Sequence, residues 1–249
     1  MEKIINGILK FRTDRRASLL EKIAFFKRAK HPNAIVISCM DARVYPTRFT
    51  TSESGDLYSI RNPGNFIPHA HEFADSKLPI SNEPGALELA CCRSGVKDII
   101  ICGHSDCKAM NLLMKVGEDP VLDVSRYSSP LERWVVQMGN SSLEAFIRSE
   151  ALTMTFDLGS DFRPMQATID AERRFSPVDR LSQVNVLQQM ANVHSHPILK
   201  DGIALGKIRV LGMWYNISTA DVYLYSWLRH KFILVDESSS HRLLEEYAN

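Results

Sequence analysis

Two short clusters of residues carry most of the chemistry this 249-residue chain could perform. The first holds Cys39, Asp41 and Arg43; the second holds His104 and Cys107. Two thiolates and one imidazole are soft-to-borderline donors that suit zinc and can sit at three corners of a tetrahedron. Three protein ligands leave the fourth corner open, which distinguishes a catalytic zinc from a closed structural one. Asp41 stands two residues from a candidate ligand. From there a carboxylate can accept a hydrogen bond from metal-bound hydroxide and aim its lone pair at a substrate, or it can take the fourth corner itself and close the site. Arg43 can pair bidentately with Asp41 and hold it ionised. A solvated turn with a local ion pair would leave the same spacing, and spacing alone does not separate the two readings.

The surrounding pattern says what must position these groups. Residues 34–39 are a continuous apolar run ending at Cys39, as expected for a strand buried on both faces. Residues 57–60 lead into Arg61, Asn62, Pro63, Gly64 and Asn65, and residues 99–102 lead into Gly103 and His104. Between them, residues 85–94 read as a helix that begins after Pro84 and stops near Gly95. Short apolar strands alternating with helices imply a parallel sheet with helical crossovers. Functional groups of such a sheet collect beyond the carboxyl ends of its strands. If the strands ending at Cys39 and His104 are neighbours, the three candidate ligands share one crevice. Runs at 208–215 and 222–227 suit a hairpin that adds an antiparallel edge strand. Residues 129–149 and 180–193 have helical spacing, whereas 158–177 look polar and irregular. At the start, Ile4, Ile5, Ile8, Leu9 and Phe11, then Leu19, Leu20, Ile23 and Phe26, keep helical spacing until His31, Pro32 and Asn33 break it. No linker or repeat divides the chain. The expectation is one α/β domain over 1–249, a helical arm at 1–31 followed by a core at 32–249.

Composition removes several function classes. Lys and Arg number 30 against 29 Asp and Glu, so there is no electrostatic case for nucleic acid or an anionic membrane. No apolar run is long enough to span a bilayer. Five cysteines, an odd number in a long chain, fit a reducing compartment better than a disulfide framework. Cytoplasm is the default location. Lys3, Lys10, Arg12, Arg15 and Arg16 keep the mitochondrial matrix open. Cys91, Cys92 and Cys102 read as packed residues, and His194 and His196 as a helix terminus. His69 and His71 flank a loop and are either ordinary surface residues or proton carriers.

The Cys-x-Asp-x-Arg cluster followed by Gly-His-Ser-x-Cys resembles the β-class carbonic anhydrases, with wording closest to their animal branch. Residues 55–65, 85–90, 184–188 and 210–217 are similar to further family segments, so the resemblance spans most of the chain. It implies Zn2+ held by Cys39, His104 and Cys107, with Asp41 and Arg43 as an orienting dyad. It implies reversible hydration of carbon dioxide to bicarbonate and a proton by zinc-hydroxide attack, with activity still rising above neutrality because two thiolates donate more charge than imidazoles. The implied fold is α/β, a mostly parallel four-stranded sheet with an added antiparallel edge strand, flanked by helices. The implied assembly is a homodimer or higher homo-oligomer whose N-terminal helices embrace the partner. Relatives with the same zinc set hydrolyse carbonyl sulfide or carbon disulfide, which is the alternative activity. A non-catalytic zinc module for assembly is a third reading, although it needs neither an open corner nor the Asp41–Arg43 pair. The chain departs from the family at Pro63, which lacks a backbone N–H. It departs again at Leu89 and Arg93, where plant-type members carry Tyr and His, and near Lys30, where they carry Gln.

Overall fold

The computed structural model describes residues 1–29, 32–74, 81–118, 123–148 and 153–248. Lys30 and His31 lie outside them. The apolar run ending at Cys39 forms β1 (Ala34–Cys39), buried along its whole length. Two helices precede it, α1 (Glu2–Asp14) and α2 (Arg16–Ala29). After it come α3 (Pro46–Phe49), β2 (Leu57–Asn62), α4 (Ala70–Ala74) and α5 (Glu83–Leu87), which runs on as a π turn over Glu88–Arg93. Then follow β3 (Asp98–His104), α6 (Lys108–Val116) and α7 (Pro130–Arg148). The chain continues through β4 (Thr153–Phe156), β5 (Met165–Thr168), α8 (Pro177–His194) and α9 (Pro197–Ala204). It ends with β6 (Arg209–Tyr215), β7 (Val222–Ser226), β8 (Lys231–Leu234) and α10 (Ser240–Ala248).

The main sheet has the order β2-β1-β3-β6-β7-β8. Its first four strands are parallel, and β7 and β8 run antiparallel. This is the expected four-stranded parallel sheet with an antiparallel edge, and that edge is two strands deep. The four residues of β8 were too short a run to stand out. The sequence reading of 158–177 as irregular needs correction in part, because β4 and β5 form a separate antiparallel pair. Met154, Phe156, Met165 and Ala167 point inward while Thr153, Thr155 and Gln166 stay exposed. Such four-residue alternations are hard to see among polar neighbours.

One core layer sets Ile35, Ile37, Ile99 and Ile101 of the sheet against Val184, Leu187 and Met190 of α8. Each such side chain contributes about 1.5–3 kcal/mol on burial. Helix α8 crosses β3 closely: a Cβ at Gly103 would lie 2.6 Å from the Val186 side chain. That approach brings α8 directly behind His104. A second layer packs Phe66, Met110, Leu113, Val135 and Leu181 around Cys39 and Cys107. The arm is different. Helix α1 buries no residue, and Ile4, Ile5, Ile8 and Leu9 are each more than half exposed. Helix α2 meets the core through an ion pair of Lys22 with Glu53 at 2.6 Å and through the Phe26 ring lying over Gly55. No described helix is long and apolar enough to cross a membrane.

Candidate metal centre

Strands β1 and β3 pair in parallel from Ala34 opposite Asp98 to Ser38 opposite Cys102. Their carboxyl ends therefore emerge side by side, carrying Cys39 and His104. Cys107 follows as the N-cap of α6. The donor atoms of Cys39, His104 and Cys107 all lie within 4.8 Å of one another, and all three residues are buried. Among the described residues, this is the one group of three or more such side chains able to hold a metal ion.

The local chemistry fits zinc. Nδ1 of His104 lies 2.7 Å from the Ser105 carbonyl oxygen, which can only accept, so Nδ1 carries the proton. Nε2 is left with a free lone pair, and it is buried without a hydrogen-bond partner. An orphaned buried polar atom costs about 1–3 kcal/mol, which a metal ion would recover. The two sulfurs stand 3.9 Å apart. Ligands at about 2.3 Å from a tetrahedral zinc would be separated by roughly 3.8 Å.

The sulfurs are already unequal. The Cys107 thiol beside it, helped by the Gly64 N–H, holds the Cys39 thiol well below its ordinary value despite burial. Cys107 is raised for the reciprocal reason, with burial adding and the N–H groups of Met110 and Ala109 opposing. A cation between them would favour both thiolates. The donor facing Cys39 comes from Gly64, so Pro63 takes nothing from this contact. Gly64 sits at φ +91, and a Cβ there would meet the Phe66 ring at 2.5 Å. Its carbonyl accepts from Asn185 Nδ2 at 2.9 Å, and that of Pro63 accepts from Trp134 Nε1 at 2.8 Å.

Other side chains fix the two ligand loops from outside. Arg61 Nη2 donates to the carbonyls of Asp41 at 2.7 Å, Val44 at 2.8 Å and Cys39 at 3.1 Å. Its guanidinium lies over the Tyr45 ring, 4.7 Å from the centroid. Sequence reading missed this role, because backbone carbonyls leave no residue pattern. The only hint was an arginine directly after the apolar run 57–60. Behind His104, Ser182 Oγ donates to its carbonyl at 2.8 Å and accepts from Trp214 Nε1 at 3.1 Å. Ser105 Oγ donates to Asn216 at 3.2 Å and accepts the Ile217 N–H at 2.8 Å.

Asp41 and Arg43 form the bidentate pair that their spacing allowed. Arg43 Nε reaches Oδ1 at 3.0 Å, Nη2 reaches Oδ2 at 2.8 Å, and the Arg43 backbone N–H adds a third bond at 2.9 Å. These bonds hold the Asp41 carboxyl far below the usual carboxylate range. With both oxygens turned to Arg43, Asp41 stands outside the group of metal donors.

The remaining sequence candidates fall elsewhere. His69 and His71 face each other, with Nδ1 atoms 2.5 Å apart, on a cleft of about 340 Å³ shared with Gln137, Asn140 and Gln188. None of the three candidate ligands lines it. Leu89 is exposed, and Arg93 is paired with Glu88 at 2.8 Å. Cys102 is core and its thiol is pushed up to about 12 by burial; Cys91 is also buried, but Cys92 is exposed, contrary to the packed reading. Helix α8 ends at His194, and His196 caps α9.

A sequence model described as carbonic anhydrase matches residues 34–222. Beta carbonic anhydrase 1 of Caenorhabditis elegans is 38% identical, with 99% of this chain and 92% of that protein covered. The fold is similar to that of the β-carbonic anhydrase CcaA, with a TM-score of 0.74 at 25% identity over 94% of this chain and 99% of the other. It is also similar to a chain of the tetrameric β-carbonic anhydrases of Sordaria macrospora, at TM-score 0.59 and 17% identity, covering 89% and 93%.

Proposed function

This chain belongs to the β-class carbonic anhydrases, and on that footing we propose that Cys39, His104 and Cys107 hold its zinc for the reversible hydration of carbon dioxide. The observation that carries the ligand reading is the buried Nε2 of His104, without a partner beside two sulfurs 3.9 Å apart. Zinc bound there supplies a lowered pKa for water, and so a nucleophile for the carbon of CO2 near neutral pH.

The chain's own residues do the rest. Ser105 fixes the His104 tautomer, and Arg61 holds the Cys39 loop in place. Asp41 stays ionised because Arg43 clamps it; Oδ1 accepts two of the clamping bonds, whereas Oδ2 accepts only one and keeps a further lone pair able to accept a hydrogen bond from a proton-bearing oxygen. It orients the nucleophile without accepting its proton outright, since its carboxyl stays ionised to far lower pH than an ordinary one. A module serving only assembly would have no use for this clamped carboxylate.

The same donor set could serve carbonyl sulfide or carbon disulfide. Stopped-flow CO2 hydration, run beside sulfide release from both compounds on one preparation, separates the readings. CO2 hydration is expected to dominate. Sulfide release without CO2 hydration would overturn the substrate, and inactivity of zinc-replete protein towards all three would favour the assembly module.

The exposed apolar face of α1 supports a homodimer or larger homo-oligomer in which a second copy covers Ile4, Ile5, Ile8 and Leu9.

A further inference from the structure

Arg43 is held from two sides. One edge of its guanidinium binds Asp41; Nη1 donates to Asp106 Oδ2 at 2.7 Å, and Nη2 also reaches the Asp106 carbonyl at 3.1 Å. The guanidinium is a rigid planar fork, so fixing one edge sets where the other edge points. An exposed arginine two residues from its carboxylate would otherwise be a weak and mobile partner. Asp106 is itself anchored. Its backbone sits at φ +51, and its N–H donates to Asp179 Oδ1 at 2.7 Å. The Asp179 N–H is in turn capped by Ser176 Oγ at 3.1 Å, at the start of α8. One chain of contacts thus runs from the first turn of α8 through Asp179, Asp106 and Arg43 to Asp41. The Asp106 side chain is 67% exposed, so packing does not explain it.

We propose that Asp106 is a positioning residue that fixes Arg43 in the orientation withholding the Asp41 carboxylate from the metal, and so keeps the fourth coordination position open to outside ligands. The inference rests on reading Cys39, His104 and Cys107 as the metal ligands. Asp41 belongs to the same loop as Cys39, two residues on. Once its clamp loosens, it becomes an internal competitor for that position.

The test is azide binding to the cobalt(II)-loaded protein, followed through the visible d–d bands. Asp106→Gly and Asp106→Asn both tolerate a positive φ, so either should fold. Asp106→Gly is expected to raise the apparent azide Kd about tenfold, as the open fraction falls, and Asp106→Asn by less. In an Asp41→Ala background, with no carboxylate to compete, removing Asp106 should not weaken azide binding. The sign is informative, because deleting a negative charge near an anion site would by itself tighten azide. Cobalt-loaded Asp106→Gly with unchanged or tighter azide binding overturns the proposal, as does an equal weakening in the Asp41→Ala background. Wild-type protein that takes up no cobalt overturns the ligand reading and this inference with it.

Discussion

The loops beyond β1 and β3 and the arm of α1 and α2 solve opposite problems. In the loops, backbone that would otherwise be free is tied down by Arg61, Ser182, Asn185 and Trp134, and the candidate ligands sit at or below 5% exposure. In the arm, α1 leaves Ile4, Ile5, Ile8 and Leu9 in the open, and α2 meets the core through the Lys22–Glu53 pair and the Phe26 ring. The candidate metal centre thus draws all three donors from one chain, whereas the arm has an apolar face that the described residues do not cover. Rigidity was spent where donor atoms must converge to within tenths of an ångström. An uncovered apolar stripe is what a surface awaiting a second copy looks like.

That contrast can be broken at either end. The largest effect is expected in the arm: Ile5→Glu combined with Ile8→Glu should weaken self-association about 100-fold or more, since charges would enter an apolar contact. Sedimentation equilibrium reads this, and zinc content should stay unchanged; unaltered assembly would show that the face is not an interface. Next is Gly64→Ala, which forces a Cβ into the Phe66 ring at a left-handed position and should cost about 2–3 kcal/mol. Urea unfolding measures it, and an unchanged midpoint would mean the turn yields easily. Smaller still is Arg61→Lys, which keeps the charge but loses the fork that reaches three carbonyls. Zinc affinity should fall about 10-fold or somewhat more by competition with a chelator, with the fold retained. No change would remove Arg61 from the account.

Much of the site could be read from the sequence because strand ends are legible. The apolar runs before Cys39 and His104 fixed where the chain leaves the sheet, and sheet topology then brings such ends together. The Asp41–Arg43 pair was legible from a spacing of two, though its orientation was not. Arg61 and Asp106 were not legible. One binds carbonyls, which every residue possesses, and the other acts only through a partner 63 residues away in the chain. The parallel sheet followed from short apolar runs alternating with helices, while β4, β5 and β8 are four-residue strands whose alternation is lost among polar neighbours. Their pairing is decided by tertiary packing rather than by local pattern.

The central claim is that Cys39, His104 and Cys107 together hold one zinc ion. Metal analysis of purified wild-type protein and of Cys107→Ala, with CO2 hydration measured on the same samples, tests it most directly. The wild type should carry about one zinc per chain and be active, and the variant should lose both metal and activity. Full zinc occupancy in Cys107→Ala would contradict the assignment.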